Sequence, residues 1–341
     1  MSHQPSEASM LFQLVAAAIG PESAQDALAV LAITPALRGP DAGDAPVPRA
    51  TLAMALNVVL FAELLDRVPA ARRYIVDMRA RGERTVFDHG ALRTIDGETG
   101  ALPRGVGAIT RLLAPLGYAV AGEYPLPRLA MTGQAWAHLD DPEGVPQFFV
   151  SELHVGRLPA PAQAAAARVF ATSRDPLSPV DRVALDFLAQ TGTLSFAEAA
   201  ALLPALARAF DRHHKAPALA DYEALLAASA EAAWIATEGN AFNHATHRVA
   251  DVEQLAATLR DEGYAIKPAV EVSANGRVRQ TALIADKVVR SFITNDGVLV
   301  ERAVPGSFFE FITRASVPGT GALDLTFDSG NATGIFAMTR A

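Results

Sequence analysis

FDHGALRT at residues 87–94 and FNHATHRV at residues 242–249 share one frame: Phe, a polar residue, His, three residues, Arg. The two copies lie about 155 residues apart, and further landmarks follow each in the same order. A helical stretch ends in Gly-Tyr-Ala-apolar, LGYAV at 116–120 and EGYAI at 262–266. A strand-like run then carries Phe-Phe, FFVSEL at 148–153 and FFEFIT at 308–313. Matched landmarks in matched order predict a duplicated βαβββ unit, with spacings too uneven for a solenoid array.

The rest of the chain divides around these two zones. Residues 1–83 read as a helical N-terminal region, because VPRATLAMALNVVLFAELLDRV repeats apolar residues at helical spacing with Pro48 near its start. Residues 84–158 form the first βαβββ-like module, with RGVGAITRLLAPLGY as its helix and short runs broken by Gly and Pro as its strands. Residues 159–233 return to Ala- and Leu-rich helix, with starts near Ser178-Pro179 and Ser195. Residues 234–315 form the second module, with strands in YAIKPAVEV, VRQTALIADKVV and SFFEFITR and a helix at 251–263. Residues 316–341 are a C-terminal tail. The expected fold is α+β: two βαβββ modules making one cupped mixed sheet around a single metal site, with the helical regions packed outside.

Composition narrows the function classes. The 341 residues are half apolar, ample for a sizeable core, and carry a net charge of −8, which argues against a nucleic-acid partner. The absence of cysteine removes disulfides, thiolate metal sites and thiol nucleophiles, and fits a cytoplasmic location. The apolar run MLFQLVAAAI at 10–19 is too short to span a bilayer and lacks the basic flank of a signal peptide, so no membrane association is expected. No Walker sequence, nucleophile elbow or His-Glu-x-x-His occurs.

His and Arg four apart share a face of either a strand or a helix, so a metal ligand and an anion-binding Arg can point into one cavity. That pairs His89 with Arg93 and His244 with Arg248. In SFFEFITR, read as a strand, Glu310 shares a face with Phe308 and Ile312, and a carboxylate there is costly to bury unless paired or metal-bound. Aligning the Phe-Phe pairs puts Val150 at the position equivalent to Glu310, so the two halves together supply two His and one carboxylate. This is the ligand set of non-haem Fe(II) oxygenases. His247 competes with His244 as ligand: the two share a face on a helix and oppose each other on a strand. The plainer reading of a single strand His is structural, and it applies to His138 and His154. His213 and His214, beside Lys215, read as solvated, and Arg248 reads equally as a surface ion-pair partner.

FDHGALRT, FNHATHR, VPGSFFEFITR and the tail FDSGNATGIF resemble the 2-oxoadipate dioxygenase/decarboxylase family, formerly a family of unknown function, over residues from about 10 to the C-terminus. The family's core is similar to the vicinal-oxygen-chelate fold, whose paired modules account for the repeat. The resemblance implies metal ligands at His89, His244 and Glu310, Fe(II) as cofactor, and Arg93 as the clamp on the substrate's distal carboxylate, with Gln280 as a further polar partner. It implies a small 2-oxo acid and dioxygen as substrates, 2-oxoadipate giving 2-hydroxyglutarate and carbon dioxide, as in lysine catabolism. His247 departs from the family's NH-x-T-P-R pattern, which has proline there. The rival readings are another metal-dependent vicinal-oxygen-chelate enzyme, an isomerase or lyase, and a non-catalytic binding protein of the same fold.

Overall fold

The structure, a computed structural model, describes residues 7–41 and 43–328. The tail beyond Asp328, with most of FDSGNATGIF, lies outside the described residues. The N-terminal helices are α1 (Met10–Ile19), α2 (Pro21–Val30), α3 (Pro35–Arg38), α4 (Arg49–Arg67) and α5 (Pro69–Ala80), with the short strand β1 (Val47–Pro48) before α4. Then come β2 (Phe87–Asp96), α6 (Gly107–Leu113), β3 (Tyr118–Leu126), β4 (Met131–His138) and β5 (Gln147–His154). The helical middle comprises α7 (Ala160–Phe170), α8 (Pro179–Thr191), β6 (Thr193–Leu194), α9 (Phe196–Arg208), α10 (Leu219–Ala228) and α11 (Ala230–Glu238). The last group is β7 (His244–Arg248), α12 (Val252–Asp261), β8 (Glu271–Val272), β9 (Val278–Ala282), β10 (Lys287–Ile293), β11 (Leu299–Pro305) and β12 (Phe308–Arg314). Ser178 and Ser195 cap α8 and α9 in full capping boxes with Asp181 and Glu198, as their Ser-x-x-acid spacing dictates.

One curled sheet of eight strands, ordered β3-β4-β5-β2-β7-β12-β9-β8, holds both modules. The order is a palindrome in module terms: each half runs outward from its first strand through its last, third and second. The halves join where β2 and β7 pair antiparallel, with His89 opposite Thr246 and Ala91 opposite His244. Gly90 is needed at this seam, because a Cβ there would sit 2.2 Å from Phe242. Helices α4 and α5 cover the outer face of the sheet. Phe61 packs on Phe87 and Phe309, and Tyr74 packs on Phe309 and Phe311. Each fully buried Phe in this layer stabilises by about 1.5–3 kcal/mol.

Two details differ from the sequence reading. The second module is less regular than its repeat suggests. YAIKPAVEV contributes only β8 and an isolated bridge from Ile266 to Leu283, and VRQTALIADKVV breaks after Ala282. Its second part enters a separate hairpin, β10–β11, outside the main sheet. The reading of His214 as solvated is also corrected: it is buried, with its Nε2 2.9 Å from the Ala236 carbonyl and its ring edge-to-face with Phe170.

On β7, His244 and His247 take opposite faces, as a strand requires. His247 points to the helical layer, 3.0 Å from the Tyr74 hydroxyl. Burial pulls His247 and His214 each down to about 4 from an ordinary value of 6.5. Both rings stay neutral in the folded protein down to about pH 4, whereas the unfolded chain protonates them below about pH 6.5. The stability they contribute is therefore present above pH 6.5 and lost as pH falls toward 4, on the order of 2–3 kcal/mol per ring. Urea unfolding between pH 7 and pH 4.5 should show this loss, and His247→Gln should flatten it. An unchanged pH slope in His247→Gln would show that this ring is not buried neutral.

Candidate metal centre

The inner face of the curled sheet gathers chemistry at its middle. β2 contributes His89, β7 contributes His244 and Thr246, and β12 contributes Glu310; all four are buried. Strand alternation aims Glu310 inward and sends Phe309 and Phe311 to the helices. His89 Nε2 lies 3.4 Å and His244 Nε2 3.3 Å from Glu310 Oε2, and one ligand atom from each residue falls within 4.8 Å of the other two. The Thr246 hydroxyl sits between them, donating to Glu310 Oε2 at 2.6 Å and lying 3.1 Å from His89 Nε2. Phe308 stacks against the His244 ring with centroids 4.8 Å apart.

The residue before each His orients its ring. His89 Nδ1 donates to Asp88 Oδ1 at 2.8 Å, and His244 Nδ1 donates to Asn243 Oδ1 at 2.9 Å. Both bonds leave Nε2 facing the centre, the arrangement in which outer partners fix a metal-ligating His. The polar residue shared by FDH and FNH was visible in the sequence, but its role was not. The first module's counterpart of Glu310 needs correction. Gln147 pairs with His89 as Phe308 pairs with His244, so Phe149, not Val150, occupies the Glu310 position.

Charge agrees with geometry. Burial alone would raise the Glu310 carboxyl, but His244 and then His89, by charge and hydrogen bonding, hold it well below the usual carboxylate range. Burial would lower His89, and the Asp88 and Glu310 carboxylates outweigh it and raise the ring. His244 is lowered, burial prevailing over Glu310. Glu310 Oε1 is buried with no hydrogen-bond partner among the described residues. Two imidazole nitrogens and a carboxylate with one unsatisfied oxygen make a donor set that fits a divalent transition metal.

Arg93 and Gln280 also line the cavity, which Phe327 borders. Arg93 is buried, as expected of an inward residue, yet it already pairs with Glu231 Oε2 at 3.0 Å and lies 4.7 Å from the Trp234 ring. Sequence reasoning missed Glu231. The available signal was a carboxylate inside AEAAWIA, a helix with no polar face. Arg248 stands apart, 3.8 Å from Asp88 and donating to the Glu143 carbonyl. His138 is a structural His bound to the Leu116 carbonyl, and His154 belongs to a second, more exposed group with Asp96 and Glu152. His213 is half-buried near the Ala209 carbonyl. No helix among the described residues is long and apolar enough to cross a membrane.

A family model described as 2-oxoadipate dioxygenase/decarboxylase matches residues 53–320. Among solved structures, a Ralstonia eutropha JMP134 protein provisionally assigned to the glyoxalase superfamily is 48% identical, with TM-score 0.90 over 94% of this chain and 99% of its own. Hydroxyglutarate synthase from Oryza sativa, solved in complex with 2-oxoadipate, is 20% identical, with TM-score 0.67 over 89% of this chain and 97% of its own. The Pseudomonas putida hydroxyglutarate synthase, also solved with 2-oxoadipate, is 18% identical, with TM-score 0.59 over 87% of this chain and 74% of its own. At 20% and 18% identity the likeness is one of fold. A comparison with curated proteins returned no match.

Titration of the metal-free protein with Mn(II) or Co(II) should load about one ion per chain, releasing protons as the raised His89 gives up its own. Affinity should fall as pH is lowered. His89→Ala, His244→Ala and Glu310→Ala should each weaken binding by ~100-fold or more, and Asp88→Asn by about 10–100-fold. Full affinity in Glu310→Ala would remove this residue from the centre, and loss of binding in His247→Gln would mean that the wrong β7 histidine is assigned.

Proposed function

Because the chain belongs to the 2-oxoadipate dioxygenase/decarboxylase family, we propose that it uses Fe(II) and dioxygen to decarboxylate and hydroxylate a 2-oxo acid. The substrate is 2-oxoadipate or a close analogue, and 2-oxoadipate would yield 2-hydroxyglutarate and carbon dioxide. The observation that carries this reading is the convergence of His89, His244 and Glu310 in a cavity that Arg93 also lines. Bound there, Fe(II) would supply electrons for dioxygen and coordination positions for the carboxylate and keto oxygen of a 2-oxo acid. The atoms balance without a second organic substrate. The carboxylate next to the keto group leaves as carbon dioxide, one atom of dioxygen completes the new carboxylate at the former keto carbon, and the other becomes the hydroxyl.

The chain's own residues supply the rest. His89, His244 and Glu310 would hold the metal, and all three border the cavity. Asp88 and Asn243 keep both Nε2 atoms aimed at it. Phe149, Phe308 and Phe327 line or flank the reacting end and keep it dry, which strengthens each charge interaction inside. Arg93 meets the distal carboxylate, because a carboxylate buried among these rings needs a cation. Its planar fork can face Glu231 and a substrate carboxylate together. Gln280 offers an amide to the same substrate.

Oxygen uptake tests the reaction class. With Fe(II) and 2-oxoadipate, oxygen loss should match substrate loss and carbon dioxide release, with a hydroxy acid one carbon shorter as product. Turnover without oxygen uptake would point instead to an isomerase or lyase of the same fold. The clamp is tested by Arg93→Lys, which keeps a cation for Glu231 where Arg93→Ala would strand that carboxylate. We expect kcat/KM for a dicarboxylic 2-oxo acid to fall by about 10–100-fold, or ~1–3 kcal/mol, with metal affinity nearly unchanged. Unchanged kcat/KM would return Arg93 to a structural role.

A further inference from the structure

Arg314, the last residue of β12, lies four residues beyond Glu310, and its side chain is wholly buried. Its donors divide between two structures. Nε and Nη2 donate to the Asp88 carboxylate at 2.9–3.0 Å, behind the ring of His89. Nη1 donates to the backbone carbonyls of Asp324 at 2.9 Å and Thr326 at 2.8 Å. The next residue, Phe327, lies with its ring 4.8 Å from His89, 4.8 Å from Phe149 and 5.0 Å from the Arg314 guanidinium carbon. The Phe327 amide donates to the Tyr124 hydroxyl at 3.0 Å, and Asp328 accepts from the Ala274 amide at 2.9 Å. Phe327 and Asp328 both border the cavity. Residues 324–328 therefore roof the centre, and one planar guanidinium ties that roof to the carboxylate that orients His89.

A buried guanidinium cannot shift toward one set of acceptors without leaving the other unsatisfied. We propose that Arg314 is a positioning residue that couples the orientation of His89 to the closure of segment 324–328 over the cavity. The inference rests on the reading of His89 as a metal ligand. Metal binding fixes the His89 ring, the ring fixes Asp88, and Arg314 passes that order to the roof. The reverse also holds, since coupling between two sites is reciprocal: a roof that is ordered favours the metal-binding orientation of His89. A lysine at 314 keeps the charge but cannot bridge both partners with one nitrogen.

Hydrogen exchange on the full chain, with and without Mn(II), tests the coupling, and calorimetric titration of the same samples reports binding separately. In the unaltered protein, Mn(II) should slow exchange of the 324–328 amides by at least tenfold. In Arg314→Lys, Mn(II) should still bind, about 10–100-fold more weakly, but at saturation the 324–328 amides should no longer respond. Asp88→Asn, which removes the charge between His89 and Arg314 while conserving shape, should blunt the response in the same way, and it carries the test should Arg314→Lys fail to fold. A purely structural role would lower protection in both states and leave the metal-induced change intact, and that result would overturn the proposal. So would Mn(II) bound to the unaltered protein without any change at 324–328. Failure of the unaltered protein to bind metal is the distinct outcome that overturns the proposed function, and the coupling with it.

Discussion

The antiparallel pairing of β2 with β7 is the constraint on which the site depends. It sets His89 opposite Thr246 and Ala91 opposite His244, so the two equivalent His residues of the repeat meet across one seam. Each module's last strand then lies parallel to its first, β5 beside β2 and β12 beside β7, and a glutamate on the second of these reaches the same point. Neither module alone brings more than part of the candidate ligand set. The two matched halves make the cup, and the difference at one position, Phe149 in one half and Glu310 in the other, leaves a single candidate centre within it.

That centre is electrostatically expensive as built, and the expense indicates its use. Glu310 is buried among rings with one oxygen held by Thr246 and the other unsatisfied among the described residues. A carboxylate in that setting persists where cationic partners or a metal compensate its desolvation. The surrounding groups are graded: Asp88 behind His89 is anionic and anchored by Arg314, whereas Asn243 behind His244 is neutral. The two histidines are thus unequal in charge environment despite their equivalent positions, His89 raised and His244 lowered.

Much of this was legible in the sequence because the repeat is written in residues with unmistakable chemistry. Phe-x-His-x-x-x-Arg twice, with Glu310 on an alternating strand, pointed to one cupped sheet, the facing and the candidate ligands, but not to the pairing of β2 with β7. The register between halves was not legible. A Phe-Phe doublet presents Phe on both faces of a strand, so a slip of one residue leaves the pattern almost unchanged, and Val150 was aligned where Phe149 stands. The β10–β11 hairpin was hidden for a related reason, since an apolar run reads alike whether it joins the main sheet or leaves it. The apolar helix around Glu231 marks its carboxylate as unusual, but the pairing with Arg93 was not legible, because the two lie far apart in the chain and a long-range ion pair leaves no local spacing to detect.

Anomalous diffraction from crystals grown with Fe(II) and 2-oxoadipate under anaerobic conditions tests the central claim most directly. The account predicts one iron peak within about 2.0–2.2 Å of His89 Nε2, His244 Nε2 and a Glu310 oxygen. The keto acid should chelate on the open side, with its far carboxylate at Arg93. Iron bound instead at Asp96, Glu152 and His154, or ordered 2-oxoadipate with no metal between these three side chains, would contradict it.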